Sequence, residues 1–353
     1  MNGQLPEQIA CGYNRNRNHT PHTIDSYPQI GKGATMRPIR RNAAVPAGLG
    51  ARSGKLMARI RRDKYLIALM LPGLLYFILY KYVPLLGSII AFQEYSPFLG
   101  IRRSPWVGLE HFRKLFSDPE IVRVLWNTLQ ISFLQIVFAF PAPIILALML
   151  NEVRQEVFKR FIQSIVYLPH FLSWVIIVGI CVIFLRSEGV INSFLNGVLG
   201  WSKIPFLTNP AFFKPLIVLQ VIWKESGWGT VIFLAALAGI SPTLYEAAVM
   251  DGANRWRRIW HITLPGLRST IVILLILRLG NVLDTGFEQI FLMLNPFTMD
   301  TGNVLDTYVY FEGIEGAEFS FATAVGLFKG AVGLVLVVLA NRLAKRFGEE
   351  GLY

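Results

Sequence analysis

Six stretches of this 353-residue chain are apolar for long enough to cross a lipid bilayer: residues 65–92, 124–150, 161–185, 213–237, 267–293 and 320–341. About 20 apolar residues span the hydrocarbon core. Every backbone polar group in that core needs an internal partner, which leaves helices as the fold for runs of this length. The runs predict an all-α integral membrane protein with six transmembrane helices. Composition points the same way, with 53% hydrophobic and 16% charged residues, where soluble domains have roughly 45–50% and 25%. Pro, Gly and single charges interrupt the runs. Such interruptions are tolerated where neighbouring helices or a cavity satisfy the freed backbone groups.

Orientation follows from Lys and Arg. With the N-terminus inside, and with Arg268 and Lys214 at the ends of their spans counted in the adjoining loops, 22 of them fall on the cytoplasmic side and 8 on the other. The segment 294–319 has none and carries Asp300, Asp306, Glu312, Glu315 and Glu318. This asymmetry places both termini, and the loop between the fourth and fifth spans, in the cytoplasm. It also accounts for the formal net charge of +12 without nucleic acid; a basic DNA-binding tail is the rival reading of residues 1–64. Residues 1–60 are polar and rich in Asn, Arg, Gly and Pro, and are expected to be a disordered, basic cytoplasmic tail, leaving 61–353 as the six-span domain. Met57 opens a basic anchor followed by the first span, so residues 1–56 are expected to be dispensable, with Met57 or Met36 as the start. The apolar stretch after Lys64 is too long for a cleaved signal peptide.

Cys11 and Cys181 lie far apart in character, one in the tail and one in a span, and neither they nor His19, His22, His111, His170 and His261 have metal-ligand spacing. No Gly-rich loop ending in Lys-Ser or Lys-Thr is present; Gly31-Lys32-Gly33 is too short to cradle phosphate. A non-catalytic chain with no cofactor of its own is expected.

The loop 241–265 is the most patterned polar segment. It reads Glu246-Ala247-Ala248, three residues, Gly252, nine residues, then Ile262-x-Leu264-Pro265. Ser241-Pro242 can cap and open a helix with Glu246 near its positive end. Ala247 and Ala248 give that helix a side-chain-poor face, and Gly252 permits a tight turn. A second short helix over about 254–261 is expected to stop at Pro265. Taken alone, the pattern also fits an amphipathic surface helix pair.

The loop resembles the cytoplasmic coupling loop of permease subunits in bacterial ABC importers. RDKYLIALMLPGLLYFILYKYVPLLGSIIAF (62–92), WVGLEHFRKLF (106–116), LYEAAVMDGA (244–253), NVLDTGFEQIFLMLNP (281–296), DTYVYFEG (306–313) and FATAVGLFKGAVGLVLVVLANRLAKRF (321–347) narrow the likeness. They resemble the carbohydrate class 1, maltose-permease-like group, and within it the LplB-like and alginate importer permeases. The resemblance implies a subunit of the bacterial cytoplasmic membrane that passes oligosaccharide, uronate-containing oligosaccharide included, inward by alternating access. It would pair with a second, homologous permease, a dimer of ABC ATPases that bind ATP and Mg, and an extracytoplasmic solute-binding protein. Glu246, Ala247, Ala248, Asp251, Gly252 and Ala253 would then dock on the ATPase. Arg255, Arg257 and Arg258 would face either acidic ATPase surface or anionic lipid headgroups.

Ionisable residues inside spans are costly and face a cavity or a partner by default. Lys224 and Glu225 lie mid-way along the fourth span. On the fifth, Arg278, Asn281, Asp284, Thr285 and Glu288 fall within an arc of roughly 120° at helical spacing, which predicts one polar stripe along the translocation path. Trp174, Trp228 and Phe287 are candidates to stack on sugar rings. Lys329 in the sixth span is expected to pair with Glu288 or Glu225, or to stand in the path. Basic Lys224, Arg278 and Lys329 would suit an anionic sugar, although Glu225, Asp284 and Glu288 offset them. The bland reading is that these charges pair among themselves and fix helix packing. An ion-coupled secondary transporter is the other functional class; such folds show internal repeats near the ligand site, and the two halves of this chain show no convincing repeat.

Overall fold

The structure is a computed structural model that describes residues 62–348 and 351; the expectations for the tail, Cys11, His19 and His22 included, lie outside the described residues. The chain divides into two units, Met1–Pro72 and Gly73–Tyr353. In the first, 64–72 form the exposed start of a helix. The second is helical almost throughout, and among the described residues no strand forms. Six helical runs are long and apolar enough to cross a membrane: Lys64–Phe92, Pro119–Asn151, Trp174–Leu199, Pro210–Ala238, Arg255–Gly280 and Phe319–Arg346. The first, second, fourth and sixth match the sequence reading closely.

Three of the prolines inside these runs are accommodated by one repeated device. Proline has no N–H and its ring collides with the carbonyl four residues back. Ahead of Pro84, Pro141 and Pro265 the helix widens into a π-helical turn, over Ile78–Tyr82, Gln135–Ala139 and Ile259–Thr263. In each case the residue just before the proline, Val83, Phe140 or Leu264, donates its N–H five residues back. The expected stop at Pro265 is therefore corrected. The backbone stays helical from Arg255 to Gly280, and Pro265 sits in the first turn after the widened segment. His261 Nδ1 lies 2.9 Å from the Arg257 carbonyl oxygen.

Two predicted spans are broken. Residues 161–185 do not form one helix: Glu156–Tyr167 passes into a 3-10 turn at Leu168–Phe171, Leu172 is extended, and a new helix starts at Trp174. Pro169 and the N-capping Ser173, which accepts from the Ile176 N–H, impose the restart. The expected helix 267–293 likewise ends at Gly280. Residues 281–286 form turns and irregular chain, Gly286 takes φ +99°, and a short helix follows at Phe287–Met293. Gly and Asn are ordinary helix terminators, so Gly280-Asn281 carried the signal, and length and apolarity masked it.

Three groups of buried apolar residues hold the second unit together. Ile121 and Val124 pack with Leu283, Leu305 and Phe321; Ile131 with Phe213, Ile217 and Ile290; and Ile144 and Ala147 with Phe233, Leu237 and Leu267. Close crossings rest on small residues, as is usual between membrane helices. A Cβ at Gly333 would lie 2.3 Å from the Gly280 carbonyl oxygen, which brings the sixth span hard against the end of the fifth.

Candidate functional site

Both breaks converge on the middle of the unbroken fourth span, and each is wired to a neighbour by polar side chains. Breaking a helix frees carbonyls that a membrane interior cannot hydrate. At the first break, Lys224 Nζ donates to the carbonyl oxygens of His170 at 2.8 Å and Leu172 at 2.6 Å. At the second, Ser132 Oγ donates to the Val282 carbonyl, and Gln135 Nε2 to that of Thr285 at 3.2 Å. Gln135 also accepts, through Oε1, from the Arg278 guanidinium. One amide thus spans the gap between the end of the fifth helix and the chain beyond it.

Glu225 is fifteen residues into a 29-residue helix, so it lies roughly 20 Å from either end at 1.5 Å per residue. Around it opens a cavity of about 480 Å³, lined by Gln135, Phe140 and Pro143 of the second span, Trp174 of the third, Val221, Glu225 and Trp228 of the fourth, and Arg278, Asp284, Thr285 and Gln289 at the second break. His170 Nδ1 is 2.9 Å from Glu225 Oε2, and its ring stacks on Trp228 at 4.8 Å with an interplanar angle of 2°. Asp284 accepts from Lys329 Nζ at 2.5 Å, and the same ammonium binds Asp306. Thr285 Oγ1 and Gln289 Oε1 are buried without a hydrogen-bond partner. A larger recess of about 580 Å³ between segments 94–117 and 317–321 contains none of the predicted path residues.

The predicted path residues therefore separate. Glu225, Trp228, Arg278, Asp284 and Thr285 meet at the cavity, but the predicted stripe is not a helical one, because the helix ends between Arg278 and Asp284. Lys224 points its ammonium at backbone and holds the first break. Asn281 is exposed and donates to the Leu277 carbonyl at 3.2 Å. Phe287 and Glu288 lie outside the cavity lining, and Phe287 packs on Phe291 and Tyr310 instead. Lys329 pairs with Asp284 and Asp306 rather than with Glu288 or Glu225, because the sixth span packs against the end of the fifth. Gln135, His170 and Gln289 were missed. Uncharged amides inside apolar runs give little signal, although Gln135 six residues ahead of Pro141 marks the widened turn.

The loop between the fourth and fifth spans forms a helix, Pro242–Met250, and a turn in which Gly252 takes φ +74°. Glu246, Ala247, Asp251 and Gly252 are exposed, with Ala248 and Ala253 half-buried. Ser241 does not cap the helix through its side chain; its Oγ lies 2.8 Å from Thr243 Oγ1. Asn254 Oδ1 accepts from the Arg257 N–H at 2.9 Å and opens the helical run toward Gly280. The Tyr245 and Thr263 hydroxyls are 3.1 Å apart, tying the loop helix to that run, and Arg255 approaches Glu152 to 3.9 Å.

Known proteins resemble this chain in sequence, and a solved structure resembles it in fold. The polygalacturonan/rhamnogalacturonan transport system permease YteP of Bacillus subtilis (strain 168) is 52% identical over 299 residues, covering 85% of this chain and 93% of its own. LplB of the same organism is 51% identical over 318 residues, 90% of this chain and 99% of its own. A chain in the crystal structure of a bacterial alginate ABC transporter, in complex with an alginate pentasaccharide-bound periplasmic protein, superposes with a TM-score of 0.78. It is 41% identical and covers 84% of this chain and all of that one. The family model for the binding-protein-dependent transport system inner membrane component matches residues 139–349. That match takes in both breaks, the loop and all of the cavity lining but Gln135, and the chain is a multi-pass membrane protein belonging to this family.

Proposed function

We propose that the chain is the permease subunit of an ATP-driven ABC importer in the bacterial cytoplasmic membrane, and that it passes oligosaccharide from an extracytoplasmic binding protein through the mid-span cavity. The observation that carries this reading is mechanical. Helical backbone runs unbroken from Arg255, beside the exposed loop, to Gly280, two residues past the cavity's Arg278. A run of 26 residues is roughly 39 Å long at 1.5 Å per residue, so a push on the loop arrives at the cavity. Val249, Met250 and Trp256 are exposed beside Glu246, and an apolar patch rimmed by charge suits a protein partner. In this reading that partner is one subunit of an ATPase dimer, which binds ATP and Mg, while a second permease covers the open side of the cavity. Sugar specificity is supported by the relatives, whose names record polygalacturonan, rhamnogalacturonan and alginate. This chain supplies the path and no catalytic group.

In proteoliposomes containing the assembled importer, Glu246→Lys and Gly252→Val are expected to lower ATP-driven oligosaccharide uptake at least tenfold while the two permeases still co-purify. A side chain forced to the left-handed backbone of Gly252 costs roughly 1–2 kcal/mol, enough to tilt the loop without unfolding the spans. Uptake at the unsubstituted rate with both variants would remove the loop from the mechanism.

A further inference from the structure

The charges around the cavity do not cancel in the pattern that the sequence suggests. Each cavity carboxylate has a donor: Glu225 faces His170, and Asp284 faces Lys329. Lys224 bonds two backbone carbonyls and stands 3.9 Å from Glu225 Oε1. Arg278 alone is left with only a neutral acceptor, Gln135, and among the described residues no carboxylate lies within 4.0 Å of it. A guanidinium presents five N–H donors in a planar fork that matches a carboxylate, and one acceptor from Gln135 leaves that capacity largely unused. A side chain of this kind inside a membrane domain needs a partner.

We infer that Arg278 receives the carboxylate of a uronate residue during passage, so that the site favours acidic over neutral oligosaccharides. The inference rests on the reading of the chain as an oligosaccharide permease and adds the residue that reads the ligand's charge, the acidity itself being that of the sugars in the relatives' names. Arg278 acts as a binding residue; its charge is held in place by Gln135 across the helix break.

The test uses the whole importer in proteoliposomes with three uronate trisaccharides, of galacturonate, guluronate and mannuronate, and the neutral methyl ester of each. Arg278→Gln is expected to lower uptake of the transported acid about 10- to 100-fold, the range for losing a charged hydrogen-bonding partner, and to change uptake of the ester less than threefold. Arg278→Lys, which keeps the charge and loses the fork, is expected to fall between. Assembly is checked by co-purification, and if the Gln variant fails to assemble, the Lys variant decides through its acid-to-ester ratio. Equal loss of acid and ester, or no loss of acid, overturns the inference and leaves the permease reading standing. Failure of the unsubstituted importer to take up any trisaccharide, acid or ester, overturns the permease reading and the inference with it.

Discussion

Gly227→Ala is expected to leave little correctly assembled protein, although it adds a single methyl group. A Cβ at this position would sit 2.1 Å from the Val166 carbonyl oxygen and 2.6 Å from its carbon. Both atoms belong to backbone, which cannot swing aside as a side chain does. Overpacking usually costs about 1–3 kcal/mol, and with helix backbones as the colliding parties we expect about 3 kcal/mol or more, a large share of a stability of roughly 5–15 kcal/mol. The effect reaches the cavity, because the same crossing holds the first break and sets His170 on Trp228. Gly179→Ala is the control. It lies in a helix of the third span with nothing within 4 Å of the added atom, and its stability should stay within about 1 kcal/mol of the parent. Thermal midpoints from fluorescence-detected size exclusion separate the two, and similar midpoints for both variants would show that the fourth span does not approach the first break so closely.

Lys329→Met should produce the second largest loss. The ammonium is bonded to Asp284 and Asp306 together, and its side chain and that of Asp306 are 16% and 21% exposed. Without it, two carboxylates face one site with no cation between them. Removing one member of a buried ion pair costs about 3–5 kcal/mol. Because Asp284 is 59% exposed, we expect the low end, about 3 kcal/mol. The double variant Lys329→Met, Asp306→Asn should recover much of that stability by removing the stranded charge, which a general packing defect at Lys329 would not allow. Melting of the purified assembly reads both; a single variant as stable as the parent would show that the triad contributes nothing to holding the second break.

Much of the architecture is legible in the linear order of residues, for a physical reason. Apolar runs report on the solvent around them, and a bilayer is a uniform solvent, so Lys64–Phe92, Pro119–Asn151, Pro210–Ala238 and Phe319–Arg346 emerge almost at the predicted limits. The turn at Gly252 was also legible, because its φ of +74° is a local demand that glycine meets. The breaks were harder. Ser173 and Gly280-Asn281 carry ordinary start and stop chemistry, but each sits inside a run long enough to read as one helix. The stripe over Arg278–Glu288 failed for that reason: helical spacing was extrapolated across residues that are not helical.

Pairing was out of reach. Lys224 meets carbonyls 54 and 52 residues away, and Gln135 meets Arg278 and the Thr285 carbonyl at separations of 143 and 150. No periodicity records such partners, since they arise only when separate helices pack. The sequence by itself determined that this chain crosses a membrane six times, and the spacing and backbone demands of its exposed loop, because hydrophobicity and glycine chemistry act locally. Tertiary structure alone decided where two spans break, which charges neutralise each other, and that Arg278 is the cation left over at the cavity, because those outcomes depend on which freed backbone groups a neighbouring helix can reach.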